Sequence, residues 1–98
     1  MPISVKITDS DKKDKRKMAI FRIHKGGKII KITHFGSAKH SNFTIHGDKK
    51  RKERYLLRHK KNENWDDYKS AGSLSRWILW NKPTLEESIK DYKKRFNL

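Results

Sequence analysis

Apolar and polar residues alternate along the first third of the chain. Ile3, Val5 and Ile7 are interleaved with Ser4, Lys6 and Thr8, the two-residue period of a half-buried strand. A polar, basic loop follows from Asp9 through Lys12, Lys13, Asp14, Lys15 and Arg16 to Lys17. The next strand begins at Met18, with Met18, Ile20 and Arg22 on one side and Ala19, Phe21 and Ile23 on the other. His24-Lys25-Gly26-Gly27-Lys28 reads as a hairpin turn, because paired glycines supply the positive φ angles of a tight reversal. A third strand runs from Ile29 to Phe35, with Ile30 and Ile32 on one face and Ile29 on the other, and Gly36 ends it. Residues 1–36 are thus a β meander.

Residues 37–47 form a polar connector with two apolar anchors, Phe43 and Ile45, expected to pack an ordered loop on the core. From Asp48 the period becomes helical. Asp48 caps a helix over Lys49 to Lys60, since its carboxylate accepts from the free first-turn amides. Arg51, Arg54 and Arg58 share one face of this helix, flanked by Lys50 and Lys61, while Leu56 lies well round from them and gives the core contact. Asn62-Glu63-Asn64 and Ser70-Ala71-Gly72 are breaks, with a turn at Trp65 to Tyr68 between them. Ser73 then caps a short, largely buried helix from Leu74 to Trp80, which Lys82-Pro83 ends. In the last helix Thr84 and Glu87 make a capping box. Leu85, Ile89, Tyr92 and Phe96 form one apolar stripe, and the basic residues Lys93, Lys94 and Arg95 fall in the final turn.

The fold expected from this pattern is α+β: one small domain over residues 1–98, with a three-stranded antiparallel sheet packed against two to three C-terminal helices. The expected core is Val5, Phe21, Ile30, Ile32, Phe35, Leu56, Trp77, Ile78, Leu85, Ile89, Tyr92 and Phe96. Composition sets a counterweight. Leu, Ile, Val and Phe number 21 of 98 residues, close to the level of roughly 20% below which charged chains stay disordered. The agreement of caps, stripes and dipole-matched charges within the helical half argues for folding.

Charge then narrows the function. With 26 Lys and Arg against 11 Asp and Glu, the net charge is +15, which draws the chain to polyanions: DNA, RNA, anionic lipid or an acidic protein. No run of 18 apolar residues and no apolar signal core are present, so neither a membrane span nor secretion is expected. The absence of cysteine excludes disulfides, thiolate catalysis and Cys-ligated zinc.

The strongest candidate site is the basic helix. Arg51, Arg54 and Arg58 are placed to pair with phosphates, and Lys49, Lys50, Lys60 and Lys61 to add longer-range attraction. Against this stands a merely solvated helix face, but only Asp48 and Glu53 offset eight Lys and Arg there. The loop Lys12 to Lys17 and the turn with Lys25 and Lys28 offer further phosphate contacts, or are simply solvated. Most aromatic residues sit at core spacing; Trp65, among Asn and Asp, is either a lid on the core or an exposed stacking residue. His34, His40, His46 and His59 with Asp48 lack any metal-site spacing, and a metal-dependent nuclease is the weakest reading. No catalytic arrangement and no cofactor are expected.

The wording of the C-terminal two-thirds carries a resemblance. His34-Phe35-Gly36, Arg51-Lys52-Glu53-Arg54-Tyr55, Arg58-His59-Lys60-Lys61, Glu63-Asn64-Trp65, the run Ala71 to Trp80 and the ending Lys82-Pro83-Thr84-Leu85 through Arg95-Phe96 resemble small basic proteins of giant double-stranded DNA viruses, the mimivirus and chlorovirus groups. The resemblance implies a viral protein in the virion or the host cytoplasm, and supplies no catalytic residues. Two functions follow as expectations. One is a non-enzymatic, sequence-independent nucleic-acid binder, with DNA favoured over RNA. The other is a minor structural virion protein that docks on an acidic capsid or core protein.

Overall fold

The computed structural model describes residues 3–98 and has the expected α+β architecture. Strands β1 (Ser4–Asp9), β2 (Lys15–Arg22) and β3 (Ile29–Ser37) form an antiparallel meander in the order β1-β2-β3. Helices α1 (Phe43–His46), α2 (Lys49–Lys60), α3 (Ala71–Leu74, continued by a π-helical turn Ser75–Leu79) and α4 (Leu85–Phe96) follow. The radius of gyration, 13.1 Å, is that of a folded chain of this length and far below an unfolded one.

The pairing Val5↔Phe21 and Ile7↔Ala19↔Thr33 sets the inner face of the sheet. Val5, Ala19, Phe21 and Phe35 on that face meet Leu74, Ile78 and Leu79 of α3 and its π turn, with Tyr92 of α4 completing the core. Buried polar groups are paired across this seam. Thr33 Oγ1 donates to the Lys69 carbonyl at 2.8 Å, and the Tyr92 hydroxyl donates to the Tyr68 carbonyl at 2.6 Å. Tyr68 in turn sets its ring edge-on to Phe21, so the turn before α3 is pinned to the sheet at two points and to α4 at a third.

The same register corrects the expected core. Ile20 pairs with Ile32, and the period of two sends Ile30 and Ile32 to the outer face, 44% and 46% exposed. Their places inside go to Thr33 and Ala19. Leu56 is half-buried; Tyr55, one residue earlier, is the buried anchor of α2, and Leu57 is 70% exposed. Trp77, Leu85, Ile89 and Phe96 pack against the core from its margin and are half-buried.

Element ends shift for identifiable reasons. β2 begins at Lys15 and β3 runs on to Ser37 because Lys15 pairs with Ser37, so the basic stretch expected as loop is partly strand. Only Gly26 of the hairpin glycines has positive φ. The connector is not loop throughout: Phe43 is buried at the start of α1, whereas Ile45 is exposed. Ser70, not Ser73, caps α3, its hydroxyl accepting from the Ser73 amide at 3.1 Å. Ser73 is fully buried and spends its own hydroxyl on the Trp65 carbonyl. Trp80 lies just past the π turn as its cap. In α4 Thr84 accepts from the Glu87 amide, and Asn97 closes the helix in the left-handed region.

Gly36 does not end its strand. It holds φ +80° inside β3, where an added Cβ would stand 2.5 Å from Cδ1 of the buried Leu79. Gly36→Ala combines a left-handed backbone with overpacking and is expected to cost about 2–3 kcal/mol of stability. Thermal melts of the two proteins check this, and an unchanged midpoint would contradict the close approach.

Candidate functional site

The basic helix is held to the body by a narrow strip. Asp48 accepts from the amides of Lys50 (3.0 Å) and Arg51 (3.3 Å), which fixes where α2 starts and so the direction of every later side chain. At about 100° per residue, Tyr55 and His59 then lie beside the row Arg51, Arg54 and Arg58. Tyr55 is sandwiched: its ring stacks on Trp80 at 4.2 Å and 5°, and on His59 at 4.1 Å and 27°. Beyond Trp80 come His46 (5.4 Å) and Phe43 (6.3 Å from His46), giving a row of five rings from α1 to the end of α2. Lys52 closes the contact by donating to the Asn81 carbonyl at 2.6 Å, with its ammonium 4.8 Å from the Phe43 ring. Burial, and then the neighbouring Arg76, Lys82 and Lys49, lower its pKa.

Because the anchor strip borders the arginine row, the row, although exposed, runs along a concave part of the surface. Arg51, Arg54 and Arg58 line one wall of a cleft of about 690 Å³. The end of β3, the Ser41-Asn42 stretch and the start of α3 make the opposite side, where Lys15 adds a fourth cation. Arg16 holds that side in shape, its Nη2 donating to the His40 carbonyl at 2.6 Å and its Nε at 3.1 Å. At one end of the cleft His59 Nδ1 meets Glu63 Oε1 at 2.7 Å, while the Trp65 indole N–H donates to Glu63 Oε2 at 3.0 Å. Both oxygens of this carboxylate therefore have partners. Burial, helped by Glu63, raises the Tyr55 hydroxyl far above the ordinary range, so it stays protonated.

The other expected contacts are dispersed. Lys49, Lys50, Lys60 and Lys61 are exposed at the two ends of α2 and do not line the cleft. The β1–β2 loop, with Lys12 and Lys13, and the β2–β3 turn, with Lys25 and Lys28, lie at opposite ends of the meander and make no common patch. A separate hollow of about 620 Å³ at the turn end is bordered by Lys6, Arg22, Lys25 and Lys93. Trp65 is a lid: its carbonyl accepts from Ser73 Oγ and Trp77 Nε1, and Arg76 lies 5.4 Å from its ring.

The histidines have separate partners. His34 bonds Ser10, His40 bonds Ser37 and His59 bonds Glu63. The Asp48 amide donates to His46 Nδ1 at 2.9 Å, which leaves Nε2 as a buried atom without a partner. Burial and the nearby Arg51 keep the His46 pKa below its ordinary value. Among the described residues no group of three or more His, Asp or Glu comes together to hold a metal ion.

Tyr55, His59 and Glu63 belong to the site but were not among the residues expected to bind nucleic acid, whereas Lys15 was expected only as part of the basic loop Lys12 to Lys17. The helical spacing Tyr55, His59, Glu63, each four apart, was the available signal for the first three.

The fold and the cleft define a small basic α+β domain with a concave, arginine-walled site. Residues 5–59, more than half of the chain, match a family of unknown function, DUF5754, and the protein belongs to that family. No curated protein and no solved structure matches the chain.

Proposed function

We propose that the protein is a non-enzymatic nucleic-acid-binding protein that grips the sugar-phosphate backbone with little readout of sequence. One observation carries the reading. Arg51, Arg54 and Arg58 project from successive turns of α2 into one cleft that Lys15 also enters. Four cations around a hollow suit a string of phosphates, and guanidinium groups pair with phosphate oxygens in two-pronged fashion. The net charge of +15 adds long-range attraction. DNA is favoured over RNA on the resemblance to proteins of giant DNA viruses, which also suggests a place in the virion or in the host cytoplasm.

A salt titration of binding to labelled DNA by fluorescence anisotropy tests this. Log affinity is expected to fall linearly with log salt, with a slope near −3 for three to four phosphates neutralised. Weak binding at physiological salt, or a flat salt response, would overturn the reading.

A second reading has its own observation. Ile30 and Ile32 lie exposed beside Ile20 on the outer face of the sheet, and Lys6 and Arg22 project from the same face. An apolar face with a cationic border suits an acidic, amphipathic segment of another protein, as in a minor virion component docked on an acidic capsid or core protein.

A further inference from the structure

We infer that the cleft takes a single nucleic-acid strand, with its phosphates on the arginines of α2 and one unpaired base stacked on His59. This rests on the nucleic-acid reading above and adds the strandedness of the ligand. Shape is the first argument. A cleft of about 690 Å³ has the size of sites that enclose a small molecule, roughly 300–1,000 Å³. A duplex carries its phosphates around a rigid cylinder nearly as wide as the 25 Å short dimension of the protein. It would meet the rim of such a cleft and the outlying Lys49 and Lys61. A single strand can bend into the cleft and present successive phosphates to Arg51, Arg54 and Arg58.

The second argument is the row of rings. In the run Phe43, His46, Trp80, Tyr55, His59, each inner ring has a neighbour on both sides, and the row ends at His59 in the cleft. One side of the His59 ring is taken by Tyr55, yet 38% of its side-chain surface stays exposed. The Glu63 bond fixes the plane of the ring, so it is a pre-set platform. Bases stack on histidine as on other aromatic side chains, and only an unpaired base has a face to offer. The stack tolerates any base, which agrees with backbone-dominated binding.

The test uses three labelled strands of about twelve nucleotides: homothymidine, an abasic strand with the same phosphates, and a thymidine–adenine duplex. Anisotropy is read at about 0.15 M salt for the natural protein and for His59→Ala and His59→Phe. Homothymidine is expected to bind about tenfold more tightly than either the abasic strand or the duplex. His59→Ala should weaken homothymidine binding more than abasic-strand or duplex binding and so erase the preference over the abasic strand, and His59→Phe, which keeps a ring against Tyr55, should restore it. Equal affinity for homothymidine and its abasic counterpart overturns the inference, as does equal loss on every ligand in His59→Ala. In either case salt-dependent binding would leave the backbone reading standing. No binding to any of the three removes both. A homouridine strand run alongside separates RNA from DNA.

Discussion

Reversing the cleft wall with Arg51→Glu, Arg54→Glu and Arg58→Glu together is expected to lower nucleic-acid affinity by at least about 100-fold at physiological salt. The slope of log affinity against log salt should become shallower by about two to three, because each lost phosphate contact removes close to one released counterion. The fold should survive. All three side chains are exposed, none makes a hydrogen bond or ion pair with another side chain among the described residues, and surface changes of this kind usually cost within about 0.5 kcal/mol each. Glu at position 51 also falls in the first turn of α2, where the helix dipole welcomes a negative charge. Circular dichroism melts beside the anisotropy titration separate loss of binding from loss of structure. A triple variant that melts normally and still binds would move the site away from α2.

Tyr55→Ala is expected to be the most damaging single change outside the central core. It removes the ring that α2 presses between Trp80 and His59, with a cost of about 3–5 kcal/mol from burial and two lost stacks. That is a large part of the total stability of a domain this size, typically about 5–10 kcal/mol. The loss should also be local at first. Apart from the Lys52 bond to the Asn81 carbonyl and the small α1 contact, little else fastens α2 to the body. The core formed by Phe21, Phe35, Leu74, Ile78 and Tyr92 does not include Tyr55. Hydrogen exchange should show the amides of α2 losing protection while those of β2 keep theirs, and nucleic-acid affinity should fall with the helix. Equal protection of α2 in both proteins would show that the stack is not what holds it.

The sequence was most legible where one element satisfies its own requirements. Thr84, Glu87 and the stripe Leu85, Ile89, Tyr92 and Phe96 define α4 without reference to any other part of the chain. The three strands and the cap at Asp48 were legible for the same reason. What failed was choice between equivalents. A two-residue period says that residues 30 and 32 share a face, but only the pairing of Ile20 with Ile32 says that the face is outside. Tyr55 and Leu56 are adjacent large side chains, and Trp80, 25 residues later, selects Tyr55 by stacking on it. Ser70 and Ser73 are both good caps, and the carbonyl of Trp65 claims the second. The arginine row was visible as a helical face, whereas its concavity was not. A cleft depends on how far α2 stands from Lys15, Ser41 and Gly72, and those separations belong to the packed molecule.

The outer face of the sheet ties solubility to occupancy. Isoleucines at 20, 30 and 32 would favour pairing with a second copy of the same face, and like charge is what opposes it. That opposition reaches about 10 Å at 0.1 M salt and about 3 Å at 1 M. On the proposed reading, concentrated salt would act twice on this molecule: it would strip a polyanion from the cationic side and bring the apolar sides within reach of one another. A bound polyanion would have the same second effect by neutralising charge, so molecules loaded along one strand would lose the repulsion that separates their sheets. If the cleft holds a strand as proposed, coating of that strand and contact between neighbouring coats would come from one pool of charge.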